Sequence, residues 1–411
     1  MITRPLEGVR VLDLSRVIAG PLACQMLADL GADVIKIERP QVGDDTRMMG
    51  PHFGSNGPLT DRSAAFWAFN RGKRSVAIDF ATEEGAALVQ KIALQCDVIV
   101  ENFKVDTLSR YGLGYQNLAR LKPSIVYCSV TGFGQTGPYR TRGGYDPVIQ
   151  AFGGLMSLTG EPDEAGGGPQ RAGLPLIDIM TGVNASSAIL GALRFREQTG
   201  AGQYIDMALL DVMLSALSYV GVDYLTCGRI QPRAGSRSPV AYPSGVFDCR
   251  DGQVMLVVGN EQQFRRFCET LGVQDLLDDK RFVSPQLRVA NRPMLDEIIV
   301  PRLADRLVEE CLAAFESAGI PAGPINTLPD IFADSHVRAR GNVVALEHPQ
   351  AGPISLIASP LRLDGTPVPH DTRPPMLAEH TADVLGDMAG LSDTALQALE
   401  AKHVIQTRPP Q

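Results

Sequence analysis

The first 130 residues alternate short apolar runs with helix-length segments, and that alternation restricts the fold more than any other feature of the chain. The pattern predicts a strand over 9–14, a helix over 22–30 opened by Gly20-Pro21 and closed by Gly31, and a strand over 34–37. That is a βαβ unit. It returns as strand 75–80, helix 83–95 and strand 98–100, then helix 115–121 and strand 125–130. Such alternation calls for a parallel sheet covered on both faces. No GxGxxG follows the first strand, which argues against a dinucleotide site.

Beyond residue 130 the punctuation changes. Residues 131–175 are rich in Gly and Pro, the mark of loops that carry function or move. Helices are predicted over 181–197 and 209–225, followed by a loop over 226–244. Two strands are predicted within 245–258, turning at Arg250-Asp251-Gly252. Helices over 262–271 and 296–318 complete a smaller α+β region, and a last helix is predicted over 381–388. A chain of 411 residues exceeds one ordinary domain. The expected division is a large Rossmann-like domain over 1–225, a small domain over 226–325, and a C-terminal part over 326–411 that returns to the large domain.

Composition removes several functions. A net charge of −8 argues against nucleic acid or an anionic membrane as partner. The seven cysteines are scattered and form no CxxC motif, as expected of reduced thiols in a cytoplasmic protein. The N-terminus lacks a signal-peptide core, and no stretch approaches eighteen uncharged apolar residues, so no membrane span is expected. Five of the six histidines lie past residue 330 and none forms HxH, HxxH or HExxH, so no metal site is expected. GxSxG and GxxxxGK[ST] are both absent, which removes serine-hydrolase and P-loop chemistry.

One charged residue stands out. Asp178 sits in Leu176-Ile177-Asp178-Ile179-Met180, with apolar neighbours on both sides. A carboxylate there is costly unless it is paired, protonated or used. The plainer reading is an N-cap for the helix that follows. A reactive carboxylate fits the same position, because a helix N-terminus also favours negative charge. Arg39, Lys73, Arg74 and Arg110 lie beside the predicted strands, where cations suit a phosphate-bearing ligand. Each of them taken alone also fits a solvated surface.

At this point the motifs themselves are specific. They include Pro5-Leu6-Glu7-Gly8-Val9-Arg10-Val11-Leu12-Asp13-Leu14, Ala19-Gly20-Pro21, Leu30-Gly31-Ala32-Asp33-Val34-Ile35-Lys36-Ile37-Glu38 and Gly43-Asp44-Asp45-Thr46-Arg47. Asn70-Arg71-Gly72-Lys73-Arg74-Ser75, Val100-Glu101-Asn102-Phe103, Gly144-Tyr145-Asp146 and the stretch around Asp178 continue the series. Ile320-Pro321-Ala322-Gly323-Pro324-Ile325 and Pro375-Met376-Leu377-Ala378-Glu379-His380-Thr381 close it. Along nearly its whole length the chain resembles the class III CoA-transferases, the group of formyl-CoA transferase and carnitine CoA-transferase.

The resemblance implies a homodimer of interlocked rings whose large domain joins both chain ends. It implies no permanently bound cofactor, with coenzyme A and acyl-CoA as substrates. It implies covalent catalysis by Asp178 through a mixed anhydride and an aspartyl-CoA thioester, with water kept out. Tyr145 and Asp146 match the pair that shapes the site, and Ala19 the position whose amide approaches the reacting carbonyl. Arg39, Lys73, Asn102, Phe103 and Arg110 match CoA contacts, the cations at phosphates and Phe103 against adenine or pantetheine.

There are departures. Ile18 stands where formyl-CoA transferase has glutamine, and Gly143 where it has lysine, with Arg142 beside it. Its run of four glycines is replaced by Ala234-Gly235-Ser236-Arg237-Ser238-Pro239. The chain resembles most the succinyl-CoA:dicarboxylate branch, including glutarate CoA-transferase. A dicarboxylate needs a cation for its distal carboxylate, and Arg237 or Arg16 is expected to supply it. Two other readings stand beside this one. An acyl-CoA racemase on the same fold needs a second acid/base, and Tyr145 stands where racemases place histidine. A non-catalytic CoA-binding partner subunit is the other.

Overall fold

The computed structural model describes residues 4–53, 59–369 and 371–409; residues 1–3 and His370 lie outside them. Six parallel strands build the large sheet: β1 (Arg10–Asp13), β2 (Asp33–Glu38), β3 (Lys73–Ile78), β4 (Val98–Glu101), β5 (Val126–Thr131) and β6 (Gln203–Ala208). A short C-terminal strand, Ile405–Gln406, adds an antiparallel edge beside β3. The order across the sheet is C-terminal strand, β3, β2, β1, β4, β5, β6. The chain thus winds outward from β1 to β3, crosses back, and winds outward again from β4 to β6. The reversal lies between β1 and β4. A crevice opens there at the carboxyl ends of the strands, where such sheets bind ligands.

The strands are apolar on both faces because helices cover both. Val11, Leu12, Ile35, Val76 and Ile99 are fully buried. Each side chain of that size contributes about 1.5–3 kcal/mol when removed from water. The helix α1 (Ala19–Asp29) follows β1, and α2 (Glu83–Ala93) precedes β4. The Thr82 hydroxyl caps α2 by accepting the Gly85 N–H, two glutamates occupy its first turn, and Leu88, Val89 and Ile92 face the core.

Further on, α3 (Asp146–Phe152) forms inside the Gly/Pro-rich stretch. The helix α4 (Leu176–Thr199) begins five residues earlier than its pattern suggests, so Asp178 lies inside its first turn. By length and hydropathy α4 could cross a membrane, a property not anticipated from the sequence, because its charges are confined to its two ends. It packs instead on α1, β5 and β6, burying Ile177, Ala185, Ile189 and Leu193. The helix expected over 209–225 is two, Leu209–Ala216 and Ser218–Cys227, because Ser218 takes a left-handed φ of 50°.

The chain divides into two compact units. One comprises Met1–Gly153, Gly173–Ser218 and Ser335–Gln411, and the other Gly154–Ala172 and Tyr219–Asp334. The sequence-based division instead ran 1–225, 226–325 and 326–411. The second unit holds an antiparallel sheet of Ser244–Cys249, Gly252–Val257 and Ala322–Pro324. Its core is built on Phe264, Phe267, Leu295, Ile299 and Phe315. The helix expected over 296–318 is again two, Arg292–Ala304 and Val308–Ser317. Pro301 near the end of the first and the Glu310 carboxylate accepting the Leu307 N–H set the break.

A buried arginine ties the C-terminal part into the first unit. Arg47 is fully buried and donates to Glu38 at 2.6 and 2.7 Å, to Asp61 at 3.0 Å and to the Pro375 carbonyl at 3.2 Å. Asp61 in turn accepts the Leu377 N–H at 2.7 Å. Arg47→Met strips two buried carboxylates of their bonded cation, leaving Glu38 only the more distant Lys36. Its stability in urea should fall by about 3–5 kcal/mol, the usual cost of breaking a buried pair from one side; a loss under 1 kcal/mol would show that water replaces the guanidinium.

Candidate active site

The crevice at the sheet reversal collects residues from four places in the chain. Arg16, Ile18 and Ala19 come from the turn between β1 and α1, and Asn102 and Phe103 from the turn after β4. Tyr145 precedes α3, and Asp178 lies in the first turn of α4. All of them line one pocket of about 200 Å³. That volume is below the ~300–1,000 Å³ of ordinary small-molecule sites, so it suits the reacting end of a larger ligand.

Two close backbone approaches bring these segments together. A Cβ on Gly182, one turn after Asp178, would lie 2.8 Å from the Ala19 carbonyl oxygen. Only glycine lets α4 lie this near α1. A Cβ on Gly132 would sit 2.6 Å from the Gly144 Cα, and that contact places Tyr145 and Asp146 against the end of β5.

Asp178 does not cap its helix. Pro175 holds the cap position, with no side-chain cap of its own. The cap comes from α3, where the buried Asp146 carboxylate accepts the N–H of Ile177 at 2.6 Å and of Asp178 at 3.1 Å. The Gln150 amide donates to its other oxygen at 2.5 Å. The contact spans more than thirty residues of chain, so no local pattern around Asp178 shows it. Asp178 is thereby left free to face the pocket. Burial, and then the Asp146 charge, push its carboxyl up to about 7. The helix dipole acts in the opposite direction.

The expected ligand cations are distributed unevenly. Arg16 lies in the pocket, donates to Asp45 at 3.1 Å and stands over the Phe103 ring at 4.9 Å. Arg39 donates to the same Asp45 at 2.7 Å and lines an adjoining cleft with Arg16, Phe80 and Phe103. Lys73 is a correction. Its ammonium is fully buried and bound to Asp13, Asn70 and the Pro21 carbonyl, each at 2.8 Å, so it presents nothing to a phosphate. Arg110 is exposed outside the Asp178 pocket, on a surface cleft with Glu83, Gln90 and Tyr111. Asn102 lines the Asp178 pocket, and its amide also holds the Arg16 backbone, accepting the N–H at 2.8 Å and donating to the carbonyl at 2.6 Å. Arg237 belongs to the second unit, where it pairs with Asp296 at 3.1 Å.

Several pocket residues had no assigned role. Lys104, Arg140 and Arg142 join Arg16 around Asp178, and Asp45 faces them. Arg142 stacks on Tyr139 at 3.8 Å, and Arg140 pairs with Asp106 at 3.2 Å. Asp45 belongs to the Gly43–Arg47 motif, which marked the place without showing that Asp45 turns toward Arg16 and Arg39 while Asp44 turns inward to Lys36. The arrangement is one half-buried carboxyl, poised near neutrality, in a pocket that four cations also line. It suits nucleophilic attack on an acyl group carried by an anionic ligand.

The Asp178 carboxyl gives a pH signature. A nucleophilic carboxylate must be ionised, so kcat/KM should rise with pH through a limb centred near 7. Glu101 is also pushed up to about 7 by burial, while accepting the Phe103 N–H at 2.8 Å. Asp146→Asn separates the two, since it removes a charge that acts on Asp178. In that variant the limb should move to lower pH; an unmoved limb would assign it to Glu101.

Comparison with known proteins agrees with this chemistry. The profile of CoA-transferase family III matches residues 6–381. A protein of Agrobacterium fabrum named succinate–glutarate CoA-transferase is 45% identical over 392 residues, covering 95% of this chain and 97% of its own. A human protein named succinyl-CoA:glutarate CoA-transferase is 38% identical, covering 98% of this chain and 90% of its own. The crystal structure of a CAIB/BAIF family protein from Brucella suis superposes with a TM-score of 0.83 at 42% identity, covering 94% of this chain and 99% of that one. With its sheet-reversal pocket, its Asp178 and a match across almost its whole length, the chain belongs to CoA-transferase family III and is a transferase.

Proposed function

We propose that this enzyme moves CoA from succinyl-CoA to a dicarboxylic acid, with glutarate the first acceptor to test, and that Asp178 carries the acyl group. The observation that carries the reading is the Asp178 carboxyl, raised toward neutrality in a pocket rimmed by Arg16, Lys104, Arg140 and Arg142. The names of relatives at 38–45% identity support the choice of substrates.

The Asp178 carboxylate attacks the succinyl thioester carbonyl. The C–S bond breaks, CoA leaves as thiolate, and a succinyl-aspartyl anhydride forms. The thiolate then attacks the aspartyl carbonyl of that anhydride and expels succinate, leaving an aspartyl-CoA thioester. The acceptor carboxylate attacks this thioester, releasing thiolate and forming a second anhydride. The thiolate attacks the acceptor's carbonyl, so the new acyl-CoA leaves and Asp178 returns as carboxylate. Each step exchanges one activated carboxyl for another, so no step stores or needs energy from outside. Amides at the start of α1, Ala19 among them, stand beside Asp178 where the carbonyl oxygens gain charge.

Arg16 is the cation assigned to the acceptor's distal carboxylate, with Asp45 orienting it at 3.1 Å. Phe103 and Arg39 receive the nucleotide end of CoA along the adjoining cleft. The working assembly is taken as an interlocked homodimer in the cytoplasm.

Incubation with succinyl-CoA followed by hydroxylamine should leave a hydroxamate on the peptide bearing Asp178, absent from Asp178→Ala. Absence of modification with every acyl-CoA offered would leave the family and remove the covalent route. In an acceptor screen, Arg16→Ala should raise KM for dicarboxylates by about tenfold or more, as expected for a lost charge-assisted contact of about 1.5–3 kcal/mol, and leave monocarboxylates nearly unchanged. Equal increases for both classes would remove Arg16 from acceptor recognition.

A further inference from the structure

The turn that feeds the pocket is held in an unfavourable conformation. Val17 has φ 70°, in the left-handed region, which a β-branched residue rarely enters. An outlier of this kind persists only where its surroundings fix it. Here three successive residues are each gripped by a side chain from another segment. The buried Lys36 ammonium donates to the Ser15 carbonyl at 2.8 Å. The Asn102 amide brackets Arg16, taking its N–H and giving to its carbonyl. Asp44 Oδ1 accepts the Val17 N–H at 3.2 Å.

Asp44 is itself fixed. It is buried, its Oδ1 also accepts the Thr46 N–H at 2.9 Å and hydroxyl at 2.7 Å, and its Oδ2 pairs with Lys36 at 2.9 Å. The next two residues, Ile18 and Ala19, line the pocket with Asp178. Among the described residues no side chain caps α1 at Ile18 and no acid occupies its first turn, which leaves the Ala19 and Gly20 amides to open the helix, since Pro21 carries no N–H.

We infer that Asp44 and Asn102 are positioning residues, which hold Val17 in its left-handed conformation so that the first amides of α1 are aimed at the carbonyl that Asp178 attacks. This deepens the transferase reading and rests on it. Asp44 lies outside the lining of the Asp178 pocket, and Asn102 lines it with its amide on the Arg16 backbone. They act through the 15–17 backbone, and the Lys36–Asp44 pair anchors that grip beneath the crevice.

The test uses glycine, which enters the left-handed region about as readily as the right. Asp44→Asn leaves one oxygen for four donors, the Lys36 ammonium, the Val17 N–H and the Thr46 N–H and hydroxyl, and the ammonium takes it because a buried cation is the costlier group to leave unpaired. The Val17 N–H then loses its acceptor, and the valine relaxes toward the β region. With succinyl-CoA and glutarate, kcat should fall by about 10–100-fold, as when an oxyanion donor is misplaced, while KM for succinyl-CoA changes by less than about threefold. Adding Val17→Gly to Asp44→Asn should recover about tenfold of the lost kcat.

A purely structural Asp44 would show no rescue, since Val17→Gly mends nothing at Lys36; unrescued loss, or a parental kcat in Asp44→Asn, overturns the inference. Where Asp44→Asn does not fold, Asn102→Ala with and without Val17→Gly gives the same reading from a half-buried site. Thermal unfolding of Val17→Gly alone is independent of activity. Relief of strain should hold or raise its midpoint, and a fall of several degrees overturns the strain on which the inference depends. Failure of the parental protein to transfer CoA would refute the substrate assignment, and the unfolding result would still decide the strain.

Discussion

A set of charges buried around the carboxyl end of β1, contributed by β1, β2, the start of β3 and the segment after β2, conditions everything that stands above it. Asp13, Lys36, Asp44 and Lys73 are nearly or fully removed from water, and each charged group meets an opposite charge or a backbone dipole. Burial by itself would raise Asp44, yet the Lys36 ammonium and the Thr46 amide outweigh it and hold the carboxyl at about 2. Such pairs add little net stability over an apolar core, but they are severe to break from one side. They fix direction more than energy. Lys73 is directed to the start of α1 through the Pro21 carbonyl, and Lys36 to the Ser15 carbonyl. The crevice floor is thereby rigid before any ligand arrives.

Above that floor, Asp146 and Asp178 divide two tasks between two carboxylates. Asp146 is buried and supplies the acceptor that the first amides of α4 need. Asp178 is relieved of capping and remains reactive. Burial first, and then that closeness, raises its pKa, so the folded state holds its proton more tightly than the unfolded chain does. Stability contributed by that group is therefore given up as pH rises from about 4 to about 7, the opposite of what a paired carboxylate does. A reactive carboxylate in a dry pocket opposes folding, and the buried pairs below it keep the site in place. The cations at the rim favour anionic ligands, and an acyl-CoA and a dicarboxylate are both of that kind.

The sheet was legible because each of its strands is nearly a local property. The runs at Val11–Leu12, Ile35, Val76, Ile99 and Tyr127 are short, apolar and separated by helix-length segments, and their period requires no knowledge of partners. The helix breaks at Ser218 and around Asp305–Leu307 were not legible, because apolar spacing continues across them. A left-handed φ in one case and a proline with a side-chain cap in the other decide against continuation.

The sequence by itself determined the parallel α/β architecture, the family, and Asp178 as the residue to watch, since local hydrophobic period and ordered motifs survive without coordinates. Only the tertiary structure decided what the charges do. Lys73 carries the residue type of a phosphate contact, yet its ammonium is sealed beneath the crevice on Asp13 and the Pro21 carbonyl. The helix cap read at Asp178 belongs to Asp146, thirty-two residues earlier. A charged side chain reaches any partner that folding brings within a few ångströms, and the spacing of residues along a chain does not record that distance.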